Sequence, residues 1–204
     1  NIWARLMKRF VDLTICILSF IVTLPIFFVL AALIYLDSPG PVIYIQKRIG
    51  KDKKTFNLYK FRTMVTNADV KLVELLKNDS SIRKEYQKYH KIHNDPRITR
   101  IGRFLRKTSL DEFPQIWNVV RGEMSLVGPR AYLPNELEEM GDFTNLIVRV
   151  TPGITGWWQV MGRHDVTFRQ RLIMDKYYII NFSLWMDFFI MVKTVWIIIS
   201  GQGK

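Results

Sequence analysis

Residues Leu13 to Leu36 read LTICILSFIVTLPIFFVLAALIYL, 24 positions without a charged side chain. A run of that length suits a helix crossing a bilayer. Two features oppose a straight crossing. Pro25 lies in the middle, where it removes a backbone donor and clashes with the preceding turn. Each half is then about 12 residues, roughly 17 Å of helix against a hydrocarbon core about 30 Å thick. Both flanks are also basic: Arg5, Lys8 and Arg9 precede the run, and Lys47, Arg48, Lys51, Lys53 and Lys54 follow it. Positive residues mark the cytoplasmic side, so a straight crossing would leave one cluster outside. A helix that enters, breaks at Leu24-Pro25 and returns keeps both inside. The segment is too long for a signal peptide and lacks a cleavage site.

Outside this run the chain is strongly basic. Thirty Lys and Arg face 18 Asp and Glu across 204 residues, a formal charge of +12. That balance suits an anionic partner such as a lipid surface or a phosphorylated substrate. Cys16 is the only cysteine, so no internal disulfide forms. The first residue is Asn rather than Met, as expected of a piece or processed form of a longer protein.

The remaining pattern is mixed. Val42 to Gln46 and Phe56 to Phe61 predict an antiparallel hairpin with Lys51 to Lys54 at its tip. Helical periods predict helices over Val65–Lys77, Ile82–Ile92, Ile98–Arg106, Phe168–Ile180 and Leu184–Ile199. Proline fits only a first helical turn, so Pro114 places another helix start near Asp111 or Glu112, running to about Val120. RGEMSLVGPRAYLP reads as a loop, and TPGITGWWQVMGR as a glycine-rich segment with one short strand. Asp187 and Lys193 make a central crossing by the last helix costly. It reads equally as a helix lying in the interface or as a core helix. The fold class is α+β: residues 1–36 a re-entrant membrane hairpin, residues 37–204 a cytoplasmic-face catalytic domain with interfacial helices.

TSLDEFPQ, Thr108 to Gln115, sets Asp111 beside Glu112 just after Arg97, Arg100, Arg103, Arg106 and Lys107. One reading is structural: Ser109-Leu-Asp-Glu112 fits a capping box, and acids suit a first helical turn. The other is chemical. A cationic setting keeps both carboxylates ionised, and an ionised Asp is a nucleophile toward phosphorus. Such a reaction also calls for a cation, usually Mg²⁺, held by one or two carboxylates. Lys60 and Arg62 in YKFRTM, the arginines of NDPRITRIGRFLRK, and Arg130 in VGPRAY are either surface cations or pyrophosphate ligands. His90-x-x-His93 has helical metal-binding spacing but no third ligand nearby. Nucleotide-binding glycine motifs and the G-x-S-x-G elbow are absent.

In order, KRFVDL, the apolar run, SPGPVIYIQKRIG, YKFRTM, DPRITRIGRFLRKTSLDEFPQIWNVVRGEMSLVGPR, TPGITGWWQVMGR and DKYYIINFSLWMDFFIMVKT cover nearly the whole chain. In that order they resemble the monotopic phosphoglycosyl transferases, bacterial sugar transferases acting on polyprenyl phosphate. The resemblance implies that a UDP-sugar gives its sugar 1-phosphate to undecaprenyl phosphate and releases UMP, the first membrane step of glycan assembly. It implies Asp111 as the nucleophile and Glu112 as its partner, both tied to Mg²⁺. It implies Lys60, Arg106 and Arg130 as ligands of phosphate and uridine diphosphate, and Pro25 as the break of a re-entrant helix. Departures are Ala131 where many members have Pro, Trp158 where many have a small residue, and Leu24 where some have Ser. The ending resembles the longer subfamily, which carries extra N-terminal membrane helices and often transfers galactose or glucose 1-phosphate. The implied setting is the cytoplasmic face of a bacterial inner membrane, with phospholipid as a partner, no nucleic acid, and a homodimer left open. Two rivals predict otherwise: a lipid-binding scaffold tolerates Asp111→Asn, and a nucleic-acid binder responds to oligonucleotides but not to UDP.

Overall fold

A computed structural model describes residues 2–89, 92–162 and 166–200. His90 of the histidine pair lies outside the described residues. The first helix, α1 (Ile2–Asp37), contains Pro25. Its stretches Leu6–Ile21 and Thr23–Asp37 are inclined by 62°. The bend has a local cause, because Pro25 lacks the N–H that would bond the Ile21 carbonyl one turn back. Among the described residues no single helix is long and apolar enough to cross a membrane, while this bent pair reaches that length and composition jointly.

A hairpin follows, β1 (Ile43–Ile49) and β2 (Thr55–Phe61), antiparallel from Ile43 opposite Phe61 to Ile49 opposite Thr55. The first strand runs three residues past the predicted Gln46, because Lys47, Arg48 and Ile49 find partners in Asn57, Phe56 and Thr55. The helices α2 (Ala68–Asn78), α3 (Ser80–Tyr89) and α4 (Arg100–Thr108) come next. A 3-10 turn, Leu110–Glu112, then leads to α5 (Gln115–Val120).

Residues 121–134, expected as loop, and 151–162, expected as glycine-rich with one short strand, hold more structure than predicted. The strands β3 (Ser125–Val127) and β4 (Gly153–Thr155) pair in parallel. Between them lie the one-turn helices α6 (Leu137–Met140) and α7 (Thr144–Ile147), and α8 (Trp157–Met161) follows. The pair requires glycine: a Cβ on Gly153 would sit 2.1 Å from the Gly128 nitrogen. The last helices, α9 (Phe168–Ile180) and α10 (Leu184–Ile199), match the predicted bounds. Thr167 and Gln170 start α9 with a reciprocal capping box.

The core lies between α1 and the mixed layer. Cys16 packs with Phe56, Leu58, Val119 and Met124, while Leu30 and Ile34 pack with Phe61 and Leu105. Both halves of the bent helix thus bury one stripe, and the other side stays bare at Phe10, Leu18, Ile21, Phe28 and Leu36. The last helix does the same, burying Asp187, Ile190 and Ile197 while Trp185, Phe188 and Val192 face outward. Polar bonds tie α1 down. Arg9 donates to the carbonyls of Val119 and Val120 at 2.6 and 3.1 Å, capping α5, and Asp12 accepts from the Ser125 hydroxyl at 2.6 Å.

Helix α4 docks on the end of β2 by backbone contact. Thr99 N–H donates to the Thr63 carbonyl at 3.0 Å, and a Cβ on Gly102 would sit 2.0 Å from that same oxygen. Gly102→Ala must therefore push α4 off the sheet, at a cost of about 3 kcal/mol. By contrast, Gly141, whose φ is +51°, has nothing within 4 Å of an added Cβ. Gly102→Ala is expected to lower the apparent Tm of the detergent-solubilised protein by roughly 6–12 °C, and Gly141→Ala by a few degrees at most. Equal shifts would refute the close docking.

Candidate active site

The two acids are placed by the end of α4. Thr99 caps this helix by accepting from Gly102 N–H at 3.0 Å, and the Asp37 carboxylate accepts from Ile101 N–H at 2.8 Å. Ser109 ends it in the left-handed conformation, φ 55° and ψ 17°, with its N–H turned back to the Arg106 carbonyl. The predicted capping box at Ser109 is therefore corrected. An N-cap needs extended backbone, and Ser109 makes no side-chain cap bond. It terminates one helix instead of starting the next. The chain turns helical from Leu110, close to the predicted start, and Pro114 adopts the right-handed conformation at the head of α5. Leu110 and Phe113 pack against the Phe61–Leu105 cluster and hold the acids between them, half-buried.

Cations converge on this turn. Lys60, near the end of β2, forms an ion pair with Glu112 at 3.0 Å. Arg106 donates from Nε to the Thr63 hydroxyl at 2.9 Å. Burial pushes the Arg106 pKa below the ordinary guanidinium value, while the Asp111 and Asp95 carboxylates favour its charge. Arg48, which no sequence motif singles out as a site residue, stands behind them. Its pKa is lowered to about 10, first by burial and then by the charge of Arg130, against the pull of Glu136 and Glu112. Arg48 thus lies in the field of both the acid pair and the GPR loop.

Two arginines of the predicted set are used elsewhere. The buried Arg62 guanidinium donates to the carbonyls of Ser38 and Pro39, clamping the exit of α1. Arg97 forms a buried fork with Asp95, with bonds of 2.6 to 3.1 Å. Arg130 follows β3. Its N–H donates to Asp175 at 3.1 Å, and its guanidinium lies 5.8 Å from the Trp158 ring centre. The structure thus brings Lys60, Arg106, Asp111 and Glu112 together, sets Arg130 beside Asp175 and Trp158, and assigns Arg62 to the α1 exit turn.

No group of three or more His, Cys, Asp or Glu that could hold a metal occurs among the described residues. Asp111 and Glu112 still fit Mg²⁺, which commonly takes one or two protein carboxylates and completes its shell with substrate phosphate and water. On the opposite face of the hairpin, a cavity of about 240 Å³ is lined by Lys47, Thr55, Asn57, Tyr59, Arg121 and Glu123. It contains none of the predicted site residues.

Residues 3–201 match the profile of the family described as bacterial sugar transferase. The chain belongs to the bacterial sugar transferase family. Among similar members, the undecaprenyl-phosphate galactose phosphotransferase of Salmonella typhimurium is 44% identical over 200 residues, covering 98% of this chain and 42% of its own. The undecaprenyl-phosphate glucose phosphotransferase of Komagataeibacter xylinus is 39% identical, covering 95% of this chain and 36% of its own. The exopolysaccharide production protein ExoY of Sinorhizobium fredii is 40% identical, covering 97% of this chain and 87% of its own. The chain therefore spans less than half the length of the first two and most of the third.

In this chain Asp175 is the buried anchor of the GPR loop, and it accepts from the Tyr132 hydroxyl at 2.8 Å as well as from Arg130 N–H. Burial pushes its pKa up from 3.8 to about 7, against those bonds and the charge of Arg130. Because the folded pKa is raised, the unfolded chain loses this proton first. The stabilisation is complete below about pH 4 and is lost as pH rises toward 7. Wild-type apparent Tm, compared with Asp175→Asn, is expected to fall across that window and to run parallel to the variant outside it. A difference independent of pH would place the carboxyl at its ordinary pKa.

Proposed function

We propose that this domain transfers a hexose 1-phosphate from a UDP-sugar to undecaprenyl phosphate, releases UMP, and so initiates assembly of a surface glycan. One observation carries the reading: a fixed turn presents adjacent carboxylates, Asp111 and Glu112, among Lys60 and Arg106, in a chain matching the sugar transferase family from end to end. The names of the relatives support an undecaprenyl phosphate acceptor, with galactose or glucose as the transferred sugar.

In the first step an Asp111 oxygen attacks the sugar-bearing phosphorus. The bond from that phosphorus to the bridging oxygen breaks, and its electron pair leaves with UMP. In the second step the phosphate oxygen of undecaprenyl phosphate attacks the same phosphorus. The bond to Asp111 breaks, its carboxylate returns, and a diphosphate-linked sugar remains on the lipid. Lys60 and Arg106 draw the donor anion toward Asp111 and screen its charge. Glu112, held by Lys60, orients the attacking phosphate and takes up its proton where it carries one. Asp111 and Glu112 would hold Mg²⁺, which would supply further screening of mutually repelling anions.

The same reading places the domain on the cytoplasmic face of a bacterial inner membrane. Residues 1–36 enter and leave one leaflet, and residues 37–204 carry the chemistry. The bare apolar sides of α1 and α10 support this placement, since water-facing patches of that size are unusual. The basic clusters on both flanks of the run support it too.

Mixing the solubilised chain with Mg²⁺ and a panel of UDP-sugars, without lipid, is expected to add one hexose phosphate to its intact mass and to release one UMP. Asp111→Asn should lose both while keeping its apparent Tm. UMP release that persists in Asp111→Asn would remove Asp111 as the nucleophile. The placement has its own test in a Cys16→Ser background. Single cysteines at Trp3 and Lys51 are expected to react together with an impermeant thiol reagent in inside-out vesicles and to stay unlabelled in right-side-out vesicles. Labelling on opposite sides would establish a crossing helix.

A further inference from the structure

Three arginines meet beside the GPR loop from distant parts of the chain. Arg48 comes from β1, Arg130 from the loop after β3, and Arg171 from α9. The guanidinium groups of Arg130 and Arg171 lie 5.8 and 5.2 Å from the centre of one ring, that of the buried Trp158. Arg130 is close enough to oppose the charge on both Arg48 and Arg171. Gathering like charges in a half-buried place is costly unless an anion shares it.

Of the acids that face this group, Glu136 accepts from Leu133 N–H at 2.6 Å, Glu112 is paired with Lys60, and Asp175 holds Arg130 N–H and the Tyr132 hydroxyl through Oδ2. Asp175 Oδ1 and Gln159 Oε1 are buried acceptors with no partner among the described residues, and neither is bonded to the arginines. The arginines are themselves partly anchored. Arg48 spends its two Nη groups on the Ala131 carbonyl at 3.0 Å and the Gln46 side chain at 2.6 Å, and Arg171 spends Nη2 on the Val166 carbonyl at 3.4 Å. The Nε atoms of Arg48, Arg130 and Arg171, and the Trp158 indole nitrogen, are buried with no hydrogen-bond partner among the described residues. Each is a donor only, so what they lack is an acceptor. Guanidinium groups braced on one edge with donors to spare on the other are preorganised for a tetrahedral oxyanion.

We propose that Arg48, Arg130 and Arg171, set around Trp158, form a cradle for a phosphate monoester group distinct from the phosphorus attacked at Asp111. The proposal rests on the transfer reaction above. The family resemblance already implies Arg130 as a phosphate ligand, and the proposal adds Arg48 and Arg171, for which that reaction gave no role. Two groups in that reaction share this chemistry: the phosphate that departs with UMP, and the phosphate of the arriving polyprenyl lipid. Arg48 bonds the Ala131 carbonyl beside Arg130, and its strand β1 pairs with β2, which carries Lys60, the partner of Glu112, so one hairpin serves both the cradle and the acid pair.

Binding tests the cradle without turnover. UMP and undecaprenyl phosphate are titrated separately, by calorimetry, into the full solubilised chain and its variants. Arg171→Gln and Arg48→Gln are each expected to weaken binding of at least one probe about tenfold or more. Arg171→Lys should fall between Arg171→Gln and wild type, because it keeps the charge but not the fork. Loss confined to UMP assigns the cradle to the leaving phosphate, and loss confined to the lipid assigns it to the acceptor. Arg48 also bonds the backbone, so apparent Tm is measured alongside, and Arg171→Gln alone decides the test if Arg48→Gln fails to fold. Wild-type affinity for both probes in a folded Arg171→Gln would overturn the proposal, leaving the arginines as braces for Trp158. So would a wild-type chain that binds neither probe. Failure of the transfer reading looks different: no phosphosugar adduct forms, while UMP binding remains sensitive to Arg171.

Discussion

The exit of α1 is fastened to the segment that carries the acids, and the rest of the site depends on that junction. Arg62 holds the Ser38 and Pro39 carbonyls, Asp37 caps the N-terminus of α4, and Leu30 and Ile34 share a core with Phe61 and Leu105. The helix so capped ends at Ser109, two residues before Asp111. One short path therefore runs from the apolar helix to the carboxylates, with few soft joints along it. If the outer side of α1 rests in lipid, the height of Asp111 above that lipid is set by this junction and not by loop motion. The transfer proposed above needs that height fixed, because a water-soluble donor and a lipid acceptor must meet at one level.

The electrostatics follow from the same arrangement. A chain of formal charge +12 places many of its cations on the surface, where water screens them. Arg48, Arg62 and Arg97 are buried instead, and each is braced by backbone oxygens or a carboxylate. Arg97 is neutralised by Asp95 and serves the fold. The half-buried Arg106 is different, since its Nε bonds a neutral hydroxyl and its charge is favoured by Asp111 across the turn. Position alone separates these roles: basic residues of one short sequence block become an internal brace at Arg97 and a neighbour of the nucleophile candidate at Arg106.

What is legible in the sequence is local. The periods of α9 and α10, the alternation of the hairpin and the proline near the bend depend on residues within a turn or two of one another. Helices α9 and α10 lie at the predicted bounds, the first strand runs past its predicted end, and the bend falls between Ile21 and Thr23, just before the predicted Leu24-Pro25. The capping box at Ser109 fails because S-x-x-E specifies side chains and not φ. Ser109 closes α4 in the left-handed conformation, so the pattern is present without the backbone that makes it a cap. The three-residue strands β3 and β4 carry almost no period and pair across 28 residues, which places them beyond any local reading. Arg48 and Arg171 escape for a related reason. Each looks like an ordinary charge on its own strand or helix, and only the meeting of β1, α9 and the GPR loop sets them beside Arg130. One local signal does bear on them: Thr167-Phe-Arg-Gln170 is a capping box with the right backbone, and it fixes the start of the helix that delivers Arg171.

The last helix shows how a charge in an apolar stretch finds its reason in tertiary structure. Asp187 weighs against a central crossing and leaves a core helix and an interfacial helix equally open. It is buried, bonded to Lys8 of α1 at 2.5 Å and to the Tyr178 hydroxyl at 2.6 Å. The core reading holds on the inner side of the helix, and the outer side stays bare. The buried face bonds inward to α1 and α9, and the outer face carries Trp185, Phe188 and Val192. Breaking such a buried pair from one side leaves an uncompensated charge, so Lys8 and Asp187 fix which side of α10 turns inward. The same bond joins the first and last helices of the domain, the two with bare apolar sides. Their relative orientation then decides whether those sides make one continuous surface, and Lys8–Asp187 is the polar contact that sets it.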